Sequence, residues 1–410
     1  MVLNTPTRVL VQYCLLCAGL LLVNCPVSAD DGVREPDIVV GMSTALTGPA
    51  SDLGLNVLAG VSAAFDESNH AGGVRGRNLA LIALDDGYEP NRTAPNMRRL
   101  IEQDNVVAVV GNVGTPTAIA AIPIANDTRT LLFGAYSGAG VLRKRPPDRY
   151  VVNYRASYAE ETAAMVDALI GHAGLEPTEI AFFTQRDGYG DAGFHGGVVA
   201  LKKHGLSDEH LIAHGRYERN TDLVERGLSE ILLHPVTPKA VILVGAYQPC
   251  ARFIKLARAN EFNVPFLNVS FVGSVPLAKS LGSDGEGVII TQVVPHPDDA
   301  DSQLAQRHRE AMSKWQGKRS PSFGSFEGYI VARILIEALD RIEGTVTREN
   351  VVDAFELLGK FEVDSMSDLF LSSTDHQASH FVWPTVIRGG NVVPFDWEEL
   401  SQVSVSKGVN

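Results

Sequence analysis

Two loops of the chain carry hydroxyl side chains beside glycines, and each loop directly follows a short apolar run. The runs span residues 106–110 and 130–133, and the loops contain Thr115 and Thr117 in the first case and Ser137 in the second. If the first loop opens a helix, free backbone N–H groups and a partial positive charge can hold an anion there, with the hydroxyls as further donors. Taken singly, these residues could be helix caps or turn residues. Two such loops on successive strands favour a crevice that binds a carboxylate or a similar polar group.

The elements that position these loops are an alternation of apolar runs and helix-period stretches, which predicts an α/β fold with parallel sheets flanked by helices. In such a sheet both loops lie at the carboxyl edge, where these folds bind ligands. The alternation restarts near Tyr158, so we expect two successive α/β blocks. From Gly287 the chain is richer in helices, and we expect this part to return and complete both blocks through a hinge. A glycine-rich turn at residues 388–391 predicts a hairpin between strands at 382–387 and 392–395.

The remaining periodic segments give the expected order of elements along the chain. We predict strands at residues 37–43, 79–84, 180–184, 211–214, 240–244, 265–269 and 288–293, and helices at 55–70, 92–103, 190–204, 222–233, 250–260, 302–315, 325–342 and 348–358.

The first residues of the chain predict export. Arg8 precedes a nearly unbroken apolar run at residues 9–23, and small residues at 26–29 form a cleavage pattern. We interpret residues 1–29 as a signal peptide and expect the mature chain in the periplasm. A transmembrane helix is the alternative, but the run is shorter than the roughly 20 residues that span a bilayer. A lipid on Cys25 is a further alternative that we favour less, because the residue before it is not small.

Composition and charge exclude other classes. With 410 residues, 45% of them hydrophobic and 20% charged, the chain is long enough for two soluble domains. A formal net charge of −13 argues against a nucleic-acid partner, which would need basic clusters for phosphate. Cys250 is the only cysteine after the predicted signal peptide, so we expect no disulfide within the mature chain.

The mature sequence lacks the common catalytic motifs. The nearest approach to a nucleophile elbow, at residues 134–138, has its serine one place late. There is no H-E-x-x-H and no P-loop, and the sequence after residue 29 has no C-x-x-C. His376 and His380 are four residues apart, but their segment is rich in turn residues, which favours surface histidines over a metal site. We therefore expect neither an enzyme nor a bound metal or cofactor.

A series of motifs resembles a known family, the type I periplasmic substrate-binding proteins of ABC transporters that include the leucine/isoleucine/valine-binding proteins. The resemblance covers almost all of the mature chain, and the order and spacing of the motifs make it specific. The motifs are TGP at 47–49, AFDESNHAGGVRGR, LDDGYEPN, GNVGTPTAIAA, GAYSGAGVLR, NYRASYAEE, TQRDGYGDAG and LVGAYQPCARFIKLAR.

The resemblance implies two α/β lobes that are joined by a three-stranded hinge and close on a small ligand. Lobe one would comprise residues 36–157 and 294–375, and lobe two residues 158–293 and 376–410. In amino-acid-binding members, hydroxyls and backbone N–H groups of lobe one hold the ligand's carboxylate, and lobe two contributes tyrosines. The matching residues in this sequence are Gly114, Thr115, Ser137 and Gly138 of lobe one, with Thr117 nearby, and Tyr189 and Tyr247 of lobe two. For both tyrosines a core or cleft-wall role is the alternative.

The sequence departs from the family pattern at the acid of lobe two. Amino-acid-binding members place an acid directly after the strand predicted at 265–269, where it pairs with the ligand's ammonium group. The matching residue is Ser270. Because a buried ammonium group without an anion costs several kcal/mol, two interpretations remain. Either another carboxylate such as Glu327 or Asp187 takes this role, or the ligand is not a zwitterionic α-amino acid.

Two smaller departures concern the cleft of lobe one. Leu53 replaces a tyrosine of the first cleft loop, and Tyr88 and Gly114 occupy the places of a disulfide that some members have. Together with Ser270, these changes favour a carboxylate or amide-like ligand with an apolar or aromatic body.

The resemblance implies a solute-binding protein that captures an amino acid, amide or carboxylate and delivers it to the permease of an ABC importer in the inner membrane. We expect a monomer. The alternative is a periplasmic ligand sensor that presents its bound state to a membrane signalling partner.

Overall fold

The computed structural model describes residues 37–401, except residues 318, 364 and 365. The predicted signal peptide and the alternative lipid site at Cys25 lie outside the described residues. Among the helices of the described part, none is both long enough and apolar enough to cross a membrane.

The first half of the chain builds a sheet of five parallel strands in the order β2-β1-β3-β4-β5. Its strands are β1 (Ile38–Thr44), β2 (Leu79–Asp85), β3 (Ala108–Val110), β4 (Leu131–Phe133) and β5 (Val151–Val152), and its connecting helices are α1 (Ser51–His70), α2 (Pro90–Arg98) and α3 (Thr115–Asp127).

The second sheet has seven strands, of which five are parallel and two form an antiparallel extension at one edge. Its parallel strands are β6 (Ile180–Gln185), β7 (His214–Tyr217), β8 (Ala240–Val244), β9 (Phe266–Asn268) and β10 (Ile289–Gln292). The helices of this part of the chain are α4 (Tyr158–Gly171), α5 (Gly188–Lys203), α6 (Glu225–Leu232), α7 (Tyr247–Ala259) and α8 (Ser274–Leu281).

The last part of the chain contributes to both halves, as predicted from its helix-rich pattern. Helix α10 packs along α1 of the first half, while β13 pairs with β10 of the second sheet. This part contains α9 (Gln303–Trp315), α10 (Phe323–Asp340), α11 (Arg348–Glu356), the small hairpin β11 (Gly359–Val363) and β12 (Met366–Leu371), and the predicted hairpin β13 (Trp383–Arg388) and β14 (Asn391–Pro394).

Two glycines allow α10 to pack closely on α1. A Cβ atom on Gly60 of α1 would lie 1.9 Å from the carbonyl oxygen of Ser325, and a Cβ atom on Gly328 of α10 would lie 2.4 Å from that of Val57. Real Cβ atoms never approach oxygen so closely, so any side chain at either position would push the helices apart. The packing of α10 on α1 therefore depends on small residues as much as on apolar ones.

Segments of chain that pass between the two halves lie side by side. The backbone N–H of Asn153 donates to His376, Ala378 donates back to Asn153, and Ser379 donates to Tyr154. The Tyr154 hydroxyl also donates to the carbonyl of Val293, which follows β10. This arrangement suits the expected hinge, although the lobe boundaries given above stay a prediction.

The fold class is the predicted one, but some elements differ. The strand predicted at 211–214 begins only at His214, and one turn of 3-10 helix ends at Leu211 instead. The pattern misled because Leu211 is an exposed apolar residue. The helix predicted at 92–103 is present: it begins at Pro90 as α2 and continues directly into a π-helical turn, Arg99–Gln103. Helices α4 and α8, the short strand β5 and the hairpin β11–β12 had no counterpart in the prediction.

Candidate functional site

The two hydroxyl-bearing loops lie side by side at the carboxyl edge of the first sheet. Strands β3 and β4 pair in parallel, and the pairing continues beyond them as a bridge between Val113 and Tyr136. The hydroxyls of Thr115 and Ser137 are 2.7 Å apart and both residues are buried. The loops thus form one polar surface, as we expected from the order of the strands.

Three further lobe-one residues shape this surface in different ways. Gly114 has φ 99°, and a Cβ atom there would lie 2.1 Å from the ring of Tyr88, so only glycine lets that ring reach the loop. Gly138 accepts a hydrogen bond from the backbone N–H of Tyr158. The Thr117 hydroxyl donates to the carbonyls of Val113 and Gly114. It is therefore already hydrogen-bonded within its own helix turn.

Of the two expected tyrosines, Tyr189 faces the cleft centre. Its ring centroid is 4.5 Å from that of Phe271 and 5.1 Å from that of Tyr158, and its hydroxyl donates to Gly245. Tyr247, the first residue of α7, lies beside Asp52 near the start of α1. Phe271 also approaches the rings of Tyr88 and Tyr136, so an aromatic group fills the space between the two sheets.

Ser270, at the position of the expected acid, belongs to a buried charged cluster. Its hydroxyl accepts a 2.5 Å hydrogen bond from Nη2 of Arg155 and donates to Oε1 of Glu161 at 3.0 Å. The second oxygen of Glu161 accepts from the Ser270 backbone N–H at 2.7 Å and from the Thr291 hydroxyl at 2.6 Å. A serine thus replaces the acid, and a glutamate lies behind it.

A capping box at the start of α4 positions three residues of this site. The Ser157 hydroxyl accepts from the Glu160 backbone N–H, and the Glu160 carboxylate accepts from the backbone N–H of Ser157. The cap fixes the first turn, so Tyr158 and Glu161 point towards the cleft while Arg155 extends from the segment before the helix. All three lie in the motif NYRASYAEE, which signalled the family but gave no role to these side chains.

Glu327, an alternative acid at the sequence level, lies in the same cluster. Its Oε1 is 3.1 Å from Nε of Arg155, and both side chains are almost fully buried. Burial raises the pKa of Glu327 to about 7, in spite of the opposing effect of the guanidinium. Burial also lowers the pKa of Arg155, but Glu327, Tyr136 and Glu161 together outweigh this effect and hold it above its usual value. The guanidinium lies over the ring of Tyr136, 4.4 Å from its centroid.

Asp187, the other alternative acid, has a structural role at the mouth of the cleft. Its Oδ1 accepts from the backbone N–H of Tyr189 as the cap of α5, and its Oδ2 is 3.2 Å from Arg219. Arg219 also pairs with Glu89 of the first half at 2.9 Å, and Asn220 donates to Glu89 at 2.6 Å. These contacts join the two halves across the cleft.

The cleft is closed in this structure. A Cβ atom on Gly188 would lie 2.9 Å from Ile119 across the cleft, and one on Gly273 would lie 2.6 Å from Leu53. Beside the closed centre, a cavity of about 700 Å³ opens between the halves, and Thr115 and Gly138 line its inner end.

At the cleft centre, Arg155 and Tyr158 have buried polar atoms without a hydrogen-bond partner among the described residues. They are Nε and Nη1 of Arg155 and the hydroxyl of Tyr158, of which Nε forms the ion pair with Glu327. The Tyr158 hydroxyl lies near the Ser137 hydroxyl without a hydrogen bond of good geometry. Buried polar groups are rarely left unpaired in folded proteins, so these atoms indicate where a ligand would bind.

Comparisons with known proteins find the same fold in related chains. A family model described as a periplasmic binding protein matches residues 37–391. The crystal structure of a possible leucine/isoleucine/valine-binding protein from Rhodopirellula baltica SH 1 is 51% identical, with a TM-score of 0.87 over 90% of this chain and 98% of that chain. A substrate-binding periplasmic protein from Ralstonia solanacearum is 28% identical, with a TM-score of 0.79 over 88% and 100% of the two chains. Leu/Ile/Val-binding protein homolog 7 of Brucella suis is 26% identical over 80% of this chain and 81% of its own.

Proposed function

Because the chain belongs to the periplasmic binding proteins, within the leucine/isoleucine/valine-binding family, we propose that it captures a small organic ligand in the cleft and delivers it to an ABC importer. The ligand is an amino acid, an amide or a carboxylate. The protein works in the periplasm as a monomer, and its partner is the importer's permease in the inner membrane. The relatives are named as binding proteins, which favours binding over catalysis for this chain as well.

The observation that carries this proposal is the pair of unpartnered polar atoms inside a closed cleft. The loops of the first sheet supply Thr115, Ser137 and Gly138 as one wall, and the second sheet supplies Ser270 in the opposite wall. Arg155 and Tyr158 lie in the segment between the sheets. A molecule held between both walls favours the closed form, because only that form offers all its contacts at once. Of the other expected site residues, Tyr189 and Gly114 shape the walls, the Thr117 hydroxyl is already bonded within its helix, and Tyr247 lies beside Asp52 of α1.

A thermal-shift screen tests the proposal. The panel contains amino acids, amides, urea, and aliphatic and aromatic acids. A compound that binds only the folded state raises the free energy of unfolding by about 2.7 kcal/mol at 100 times its dissociation constant. We expect at least one class to raise the unfolding midpoint. If no compound does so at millimolar concentration, this range of ligands is wrong.

A further inference from the structure

We propose that Arg155 and Tyr158 bind the carboxylate of a ligand that has an apolar body and no α-ammonium group. This inference rests on the proposed function and narrows it from three ligand classes to one. It assigns the anion contact to the segment between the sheets and to the first residue of α4, in addition to the hydroxyls of lobe one.

Two donors at the cleft centre lack an acceptor. Nη1 of Arg155 and the hydroxyl of Tyr158 are buried without a partner in the described part of the chain, and the Ser137 hydroxyl lies beside the latter. An unpaired buried donor costs about 1–3 kcal/mol, and more when it is charged. A carboxylate can accept hydrogen bonds from both donors at once, and the guanidinium adds a full opposite charge.

The three carboxylates that could pair with an ammonium group are already engaged. Glu161 accepts three hydrogen bonds, two from Ser270 and one from Thr291. The carboxylate of Glu327 lies 3.1 Å from Nε of Arg155, so an ammonium group would have to compete with a guanidinium that is already in place. Asp187 is engaged by Arg219 and by the cap of α5. The structure therefore favours an anion over a zwitterion.

The surroundings of the unpartnered donors favour an apolar or aromatic ligand body. The Phe271 ring centroid lies 4.5–5.9 Å from those of Tyr88, Tyr136 and Tyr189, and the ring of Tyr158 packs in turn against Tyr189. Aromatic rings gain most from burial against other apolar groups. The hydrocarbon body of a ligand can pack against these tyrosine rings in place of the Phe271 ring.

Charge balance makes the binding of such an anion depend on pH. Besides Arg155 and Glu161, the ionisable groups that influence Glu327 include Arg143, whose guanidinium donates to the carbonyls of Ser137, Ala139 and Arg155. A proton on Glu327 removes the negative charge beside Arg155 and so favours a ligand carboxylate at this guanidinium.

The first experiment compares matched ligands that differ only in the ammonium group. The probes are 4-methylpentanoate against L-leucine and 3-phenylpropanoate against L-phenylalanine, with the dissociation constants measured by calorimetry on the mature chain. We expect at least one acid to bind at least tenfold more tightly than its amino acid. If the amino acids bind more tightly, this inference is wrong and the proposed function stands. If neither member of either pair binds, the inference is also wrong, and the wider screen decides the proposed function separately.

The second experiment tests the two donors with the acid that binds. Tyr158→Phe removes an unpartnered hydroxyl, so it should leave the unliganded unfolding midpoint unchanged and weaken binding of the acid about tenfold. The matched control is Tyr150→Phe, whose hydroxyl donates to Glu349 away from the cleft and should not change affinity. Arg155→Lys keeps the positive charge but replaces the three nitrogens of the guanidinium by one ammonium nitrogen. We expect this variant to weaken binding further. Equal affinity in Tyr158→Phe and the control would contradict the assignment.

The third experiment measures the dissociation constant of the same acid from pH 6 to pH 8.5, where the ligand stays ionised. Because burial raises the pKa of Glu327 to about 7, its protonated form prevails below that pH and is lost above it. Affinity should fall by up to about tenfold per pH unit above pH 7, the limit for one linked proton. Glu327→Gln mimics the protonated acid and should remove this dependence. A wild-type affinity that is constant over this range would contradict the charge balance.

Discussion

At the scale of single residues, the hydroxyl pair of Thr115 and Ser137 has two possible roles that mutation can separate. As helix-start and turn residues, the two would mainly stabilise lobe one. As a ligand contact, they would matter only when the cleft is occupied. Their hydroxyls bond to each other at 2.7 Å, so removing both leaves neither of them unpaired. The one remaining donor is the backbone N–H of Ala139, which now donates to the Ser137 hydroxyl at 3.3 Å.

We therefore predict that the double variant Thr115→Ala, Ser137→Ala abolishes ligand binding while its unliganded free energy of unfolding stays within about 1 kcal/mol of the wild type. Calorimetry with the best compound of the screen and chemical denaturation without it measure the two quantities. The matched control is Thr128→Ala, Thr130→Ala, which removes a hydroxyl pair 3.2 Å apart at the other end of α3 and should keep full affinity. A large loss of unliganded stability with retained binding would instead support the capping role.

The sequence allowed the lobe-one half of the site to be predicted, because Thr115 and Ser137 follow neighbouring strands and local pattern is enough to place them together. The other half depends on residues far apart in the chain. Arg155 precedes α4, Ser270 follows β9 and Glu327 lies in α10, so their mutual pairing exists only in the folded chain. The resemblance gave Ser270 as a missing acid, but the glutamate behind it could not be inferred from spacing.

At the scale of elements, glycines decide where the returning helices pack. We predict that Gly60→Ala lowers the free energy of unfolding by about 1–3 kcal/mol, because its Cβ atom would overlap the carbonyl oxygen of Ser325 in α10. Chemical denaturation monitored by circular dichroism measures the change.

The matched control for this variant is Gly171→Ala at the end of α4. A Cβ atom there meets no other atom within 4 Å, so we expect a stability that is unchanged or raised by about 0.4–1 kcal/mol. If Gly60→Ala were as stable as Gly171→Ala, the close packing of α1 and α10 would be wrong.

The same packing explains which elements the sequence could predict. Strands with continuous apolar runs, such as β6 and β8, are buried on both faces, and their positions agree with the prediction to within one residue. The start of β7 could not be predicted in this way, because Gly215 packs against Gly227 of α6 and apolar Leu211 is exposed. The β11–β12 hairpin does carry a signal: buried Phe361 and Val363 alternate with exposed Lys360 and Glu362 in β11.

At the scale of the whole molecule, the contacts across the mouth of the cleft exist only while the two halves are close. Arg219 links Glu89 of the first half with Asp187 of the second, and Tyr88 accepts a hydrogen bond from Gln185 across the same gap. A ligand that binds both halves works together with these contacts, because each favours the same closed form. Removing one of them should therefore weaken ligand binding although none of these ion pairs needs to touch the ligand.

We predict that Arg219→Gln weakens ligand binding about fivefold, which corresponds to the roughly 1 kcal/mol that a partly exposed ion-pair network contributes. Its unliganded unfolding midpoint should stay nearly constant, since each half keeps its own core. The matched control is Arg226→Gln, which removes an ion pair with Glu230 inside α6 and crosses no gap. Calorimetry gives the affinities, and small-angle scattering should detect a larger mean radius of gyration only in the unliganded Arg219→Gln variant. Equal affinities and radii in the two variants would mean that the contacts at the mouth do not contribute to closure.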